Sequence, residues 1–337
     1  MTTTHLEVIG TGKMPPWRRW LIRHGWTLGV WLLLLALILR YSTLIPRFGS
    51  FEITSILTNG LPWVFLAVGQ AVIVIAGGID LGVGGLMVLA NVAAARFMDG
   101  QPFEVTLIVA VLVLVGAAII NGLAGWIIHV SKVPDIVATL ATLFIYQGLA
   151  LAVLGSPGGG TSKRFRWLFT GSEVGIGRNP WPALVVLVVS VTIVALWMAK
   201  TRSGLELYAV GSNRNAAYLS GIRTARTKVV SYAIGGAYAA LAGLAITAIA
   251  GRGNPNALGG NFTLNSVAAI VLGGVALTGG VGSVVGAVPA GIILFFLNPT
   301  LTAMGIDPNR AQIIQGLLIV LVMMVGGLLE LRRQRRS

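Results

Sequence analysis

Hydrophobic residues run along this chain in long blocks parted by short polar turns. They do not repeat at the period of a half-buried helix or strand. A membrane-spanning helix needs about 20 mostly apolar residues. Blocks of that kind fall at 26–45, 55–76, 81–98, 104–128, 134–154, 181–199, 229–250, 264–280, 283–298 and 311–329. The pattern predicts an all-α integral membrane protein of about ten transmembrane helices. A first polar stretch, 1–25, reads as a tail ahead of an uncleaved signal anchor, with a transmembrane domain over 26–330 and a basic tail over 331–337.

The third, eighth and ninth blocks are short and rich in glycine. "VIVIAGGIDLGVGGLMVLANVAA" (72–94) is apolar enough for lipid, yet holds Gly77-Gly78, Gly84-Gly85 and one acid, Asp80. Glycine costs a helix interior about 1 kcal/mol relative to alanine. A carboxylate in lipid costs roughly 2.5–3.5 kcal/mol on insertion scales. Gly77-Gly78 therefore marks a helix end, and Asp80 falls where it caps the next helix. Two readings stand for the segment: a tight turn at the membrane edge, or broken backbone lining a translocation path. "IVLGGVALTGGVGSVVGA" (270–287), with Gly273-Gly274, resembles 74–90, and paired breaks in two halves point to a substrate path. Pro134-Asp135 opens the fifth block as a proline and a dipole-complementing acid.

Composition agrees. Hydrophobic residues make up 55% of the chain and charged residues 10%, against about 25% charged in soluble domains. The net charge of +14 is spread between apolar blocks without the interleaved aromatics of a base-stacking surface, so no nucleic-acid partner is expected. Lys and Arg concentrate in 1–25, in 200–228 and in the final RRQRR, which puts both termini and the 200–228 loop in the cytoplasm. Lys163, Arg164, Arg166 and Arg178 run against that bias in the 155–180 loop.

There is no cysteine, no HExxH pair, no GxSxG elbow and no GxxxxGK[ST] phosphate loop, so neither catalysis nor metal binding by this chain is expected. Gln70, Asn91, Asn121, Gln147 and Asn265 lie within spans. Neutral amides suit a hydroxylated substrate, and equally serve to join helices. The candidate path residues are Gln70, Gly77, Gly78, Asp80, Gly84, Asn91, Asn265, Gly273 and Gly274.

In the 200–228 loop, Asn213 or Asn215 can cap a short helix carrying Ala216 and Ala217, and Gly221 can end it. Here "AVGSNRNAAYLSGI" (209–222) resembles the coupling loop of bacterial ABC-transporter permeases. With "GGIDLGVGG", "VPDIVATLATLFIYQGLAL" and "VAAIVLGGVALTGGVGSVVGA" it is similar to the monosaccharide importers of ribose, xylose and arabinose type, over about 50–325.

That resemblance implies Gly211, Asn213, Ala216, Ala217, Gly221 and Ile222 at the ATPase contact. It also implies a second permease subunit, two cytoplasmic ABC ATPases that use ATP and magnesium, and a periplasmic substrate-binding protein. The chain itself would bind no cofactor and would sit, multi-pass, in the bacterial inner membrane. Thr263-Leu264-Asn265 stands where the family usually has Glu-Leu-Asp, and Gln147 where an arginine is common. Both changes remove charge. Autoinducer, polyol and nucleoside importers have related permeases, so those cargoes stand beside sugars. The competing reading is an ion-coupled secondary transporter of a small polar solute, for which the chain offers few ionisable groups within its spans.

Overall fold

The structure is a computed structural model that describes residues 16–257 and 259–334. The outer parts of both expected tails, 1–15 and 335–337, lie outside the described residues. Among the described residues seven helices are long and apolar enough to cross a membrane. They are α1 (Pro16–Leu44), α2 (Ser50–Ile75), α4 (Phe103–Ser131), α5 (Asp135–Val153), α7 (Trp181–Lys200), α10 (Thr224–Ala250) and α12 (Val284–Ala303). α13 (Pro308–Gln334) follows α12. Two apolar helices are shorter, α3 (Val83–Met98) and α11 (Gly259–Leu272). At 1.5 Å per residue they reach roughly 24 and 21 Å, less than the ~30 Å hydrocarbon layer.

Helix α2 is the centre. It is 89% buried across its apolar window, against 11–17% for α1, α4 and α5. α10 packs on α2, α3 and α4, while α12 packs on α2 and α1. Small residues permit the close approach expected of helices in lipid. A Cβ on Gly236 would strike Ala117 of α4, and one on Gly69 would strike Tyr238. The outer helices turn Ile108, Leu112, Ile119, Phe144, Ile145 and Ile193 outward, 56–68% exposed. Side chains of that kind face lipid without cost.

The helix pattern departs from the sequence reading where glycine dominates. The apolar block at 264–280 is not one helix: α11 begins at Gly259 and stops at Leu272. Gly274, Gly279, Gly280 and Gly282 have φ between 71° and 133°, which forbids a continuous helix. α12 starts at Val284, capped by Ser283, whose Oγ accepts from Val285 N at 3.2 Å.

The expected 155–180 loop contains α6 (Lys163–Thr170), and the 200–228 loop contains α8 (Arg202–Ser212) and α9 (Arg214–Leu219). α6 explains one of the cations that ran against the charge bias. Arg166 Nε donates to Ala248 O at 3.0 Å and Arg166 Nη2 to Ile249 O at 3.1 Å, closing the C-terminus of α10.

Candidate functional site

Two glycine-rich breaks lie at the same end of the bundle, and they touch. α2 stops at Ile75, Gly77 has φ +78°, and α3 resumes at Val83. The 273–283 break returns to the same place, where Gly280 N donates to Ile75 O at 2.9 Å. Gly211, near the end of α8, seals the junction. A Cβ on it would overlap the Ile75 carbonyl, and one on Gly279 would stand 2.9 Å from the Gly77 Cα. α8 also holds the second break through Tyr208, whose hydroxyl donates to Gly282 O at 3.2 Å. Burial raises the pKa of that hydroxyl, so it remains a donor.

The first break is clamped by three helices. Asp80 is fully buried. It does not cap α3, whose N-cap is Gly82. Its Oδ1 accepts from Gly82 N at 2.7 Å in a local turn, and its Oδ2 accepts from Asn121 Nδ2 of α4 at 2.8 Å. Asn121 also donates to Tyr232 O of α10 at 2.9 Å. Asp135 likewise makes no cap. Its Oδ1 pairs with Lys228 Nζ at 2.6 Å, while its Oδ2 lies 3.0 Å from the Tyr232 hydroxyl. The same hydroxyl reaches Ile79 O at 3.0 Å, and Leu81 N donates to Thr139 Oγ1 at 3.0 Å. Asp80 thus joins a local N–H at the start of α3 to a side chain of α4, while Asp135, the first-turn acid of α5, is tied to Lys228 and Tyr232 of α10.

Between these two contacts, at Gly211 and Lys228, stands α9. Asn213 caps it, its Oδ1 accepting from Ala216 N at 3.0 Å. Gly221, at φ +82°, ends it, with Gly221 N bonded to Tyr218 O at 2.9 Å and Ile222 N to Ala217 O at 3.0 Å. That bond pair is a Schellman stop. Ala217 is buried, and Arg214 Nη2 lies 2.9 Å from His129 Nδ1 of α4. Tyr218 and Leu219 point away, 69% and 84% exposed.

The expected path residues do not form one group. Gly84 is packed against Gly259 and Thr263, and Gly273 against Gly286, as backbone crossings. Gly78 lies against Tyr232 and Asp135, and Gly274 against Trp26. Asn91 is buried helix glue: it donates to Thr247 Oγ1 at 2.8 Å and accepts from Asn254 N at 2.9 Å. Gln70 is buried in α2, with neither side-chain amide atom paired.

Asn265 alone among them lines a cavity of about 490 Å³ toward the other end of the bundle. α10, 27 residues long and about 40 Å by rise, separates α9 from the 251–257 segment, whose Asn254, Asn256 and Ala257 line the cavity. Trp63 of α2 and Phe262 of α11 form an aromatic wall, ring centroids 4.9 Å apart. Asn298 of α12 and Gln312 and Gln315 of α13 complete the polar side. Sequence reading missed these. The signal was present as Gln312 and Gln315, three apart on one helix face, and as asparagines at 254, 256 and 261.

The family described as "Branched-chain amino acid transport system / permease component" matches residues 52–323. The ribose import permease protein RbsC of Escherichia coli K12 is 32% identical over 300 residues, covering 87% of this chain and 91% of its own. RbsC of Bacillus subtilis 168 is 33% identical over 307 residues, covering 88% and 92%. The autoinducer 2 import system permease protein LsrD of Escherichia coli O9:H4 is 28% identical over 323 residues, covering 93% and 95%. No solved structure matches. A bundle of apolar helices joined at two glycine breaks, matched over most of its length to transport subunits, belongs to the family of transport-system permease components, multi-pass membrane proteins of ABC importers.

Proposed function

We propose that this chain is the permease subunit of an ATP-driven importer that moves a monosaccharide, or a similar small polar solute, across the bacterial inner membrane. A periplasmic binding protein delivers the solute. Cytoplasmic ABC ATPases bind ATP and magnesium, and a second permease subunit, a copy or a sister chain, completes the pore. The chain crosses the membrane ten times, α3, α11 and α13 included, with both termini and α8–α9 in the cytoplasm.

The carrying observation is the placement of α9. Its outer face, Tyr218 and Leu219, is free for a partner, while its flanks, Gly211 and Lys228, touch the breaks. A push on α9 therefore reaches 76–82 through Lys228, Asp135 and Tyr232, and reaches 273–283 through Gly211 and Tyr208. The sugar reading is supported by the names of the ribose permeases. The ion-coupled alternative is disfavoured, since the one fully buried carboxylate among the described residues, Asp80, is committed to N–H donors. The test is co-expression with candidate ABC ATPases and purification through a tag on this chain. Stable co-purification and ATP hydrolysis stimulated by a loaded binding protein are expected. A chain that transports in vesicles without any ATPase would overturn the reading.

A further inference from the structure

We propose that the permease carries its own solute site, built for an uncharged polyhydroxylated ligand, and that Gln70 is its inner station. The inference rests on reading the chain as a transport permease and adds what that reading leaves open: where the solute pauses, and what chemistry it must have. The cavity of about 490 Å³ has the size of a small-molecule pocket. Every polar side chain in its lining is an amide, and none is ionisable. Each amide offers both donors and an acceptor, which matches hydroxyl groups that also do both. Trp63 and Phe262 supply flat apolar surface for the C–H face of a ring.

The polar wall is organised rather than incidental. Gln315, 8% exposed, donates from Nε2 to Asn265 Oδ1 at 3.1 Å and to Leu294 O at 3.1 Å. Asn265 Nδ2 in turn donates one of its two hydrogens to Asn261 O at 2.7 Å. A zwitterion entering here would find no counter-charge for its ammonium or its carboxylate, and burying unpaired charge is expensive. Although the family's description names branched-chain amino acids, this cavity is unsuited to them.

Gln70 supplies the second, independent observation. It lies seven residues beyond Trp63 on α2, hence on the same helix face, roughly 10 Å closer to the glycine breaks. It is fully buried, and both Nε2 and Oε1 lack a partner. Unpaired buried amides are rare and costly, on the order of 1–3 kcal/mol. An apolar side chain would fit better unless the amide is used in another state. In this arrangement the solute passes from the amide cavity along the Trp63–Gln70 face and bonds the Gln70 amide when the bundle opens.

The test uses the full importer, assembled with its ATPases and binding protein. The natural absence of cysteine allows single-thiol labelling of Asn265→Cys and Gln315→Cys. D-ribose, D-xylose and ribitol at millimolar concentration serve as neutral probes, with leucine and D-gluconate as charged controls. At least one neutral probe is expected to slow labelling several-fold, and the charged controls to leave it unchanged. Protection by leucine as strong as by the polyols, or no protection by any neutral probe, overturns the site. ATP hydrolysis stimulated by the loaded binding protein, measured in the same preparation, reports separately on the transporter reading. Uptake of the best protecting probe is then followed in Gln70→Met, a near-isosteric change. Normal assembly, equal or higher Tm, and uptake lowered about tenfold, the scale of one neutral hydrogen bond, are expected. Wild-type uptake by Gln70→Met would remove Gln70 from the route, and a Tm fall with proportionate loss of assembled complex would make it a packing residue instead.

Discussion

Gly280 donates its backbone N–H to the carbonyl of Ile75 at 2.9 Å, joining residues that lie at two separate helix breaks. Gly211 presses on the same carbonyl, so helix α8 and both breaks share one contact. A side chain at position 211 cannot be added without parting them. Gly211→Ala is therefore expected to leave insertion intact and to uncouple the complex, with ATP hydrolysis continuing while uptake falls. Paired uptake and hydrolysis in proteoliposomes check this, and tightly coupled turnover in the alanine variant would count against a mechanical role for the junction.

At Gly221 the constraint is conformational alone. Its φ is +82°, and an added Cβ would meet nothing within 4 Å. A left-handed conformation costs an ordinary residue about 1–2 kcal/mol. Gly221→Val and Gly221→Asp should both insert normally and fray the end of α9, with loss of uptake and of substrate-stimulated hydrolysis. Gly221→Asn should be milder than Gly221→Val, because asparagine tolerates that region. Equal activity of the valine and asparagine variants would show that the stop of α9 is not what matters there.

Lys228 and Asp135 are the ionic link between the foot of α10 and the first break, 2.6 Å apart. Losing one charge-assisted hydrogen bond costs about 1.5–3 kcal/mol. Lys228→Met and Asp135→Asn should each lower Tm and weaken coupling. Lys228→Asp combined with Asp135→Lys should recover part of both. A charge-swapped double variant no better than its worse single would argue that the pair is incidental.

Orientation has a direct measure. Lys163 and Asn256 are exposed at one end of the bundle, Ser212 and Ser220 at the other. Single cysteines at the first two positions should react with an impermeant thiol reagent in spheroplasts, and at the last two only after permeabilisation. The reverse pattern would invert the topology.

The longer apolar blocks were legible because they reach the length that lipid demands, and the break at 77–82 because glycine pairs and an acid have no other easy use in lipid. The cap at Asn213 and the stop at Gly221 were legible for the same local reason. The second break was legible in Gly273-Gly274 through its likeness to 74–90, but the end of α11 at Leu272 was overrun by the 264–280 block, since 273–282 remains apolar by composition. α6 and α8 were missed because both are short and mixed in polarity. The cavity was hidden by distance along the chain: Trp63, Phe262, Asn298 and Gln315 come from four helices, and no local pattern unites them. Asp135 was legible as the first-turn acid of α5 but not as an ionic partner, because Lys228 lies 93 residues away.

The junction of Gly77, Gly211, Gly279 and Gly280 also sets where this sequence is free to change over generations. At Gly211, Gly279 and Gly280 every other amino acid adds atoms where the chain is already in contact, and at Gly77 the left-handed φ of +78° disfavours any side chain, so drift is blocked at all four positions. The amide cavity has the opposite character: an asparagine there can become serine, threonine or glutamine singly, each step keeping a polar wall. A lineage can thus acquire a new cargo through small edits around Trp63 while inheriting its moving joint unaltered.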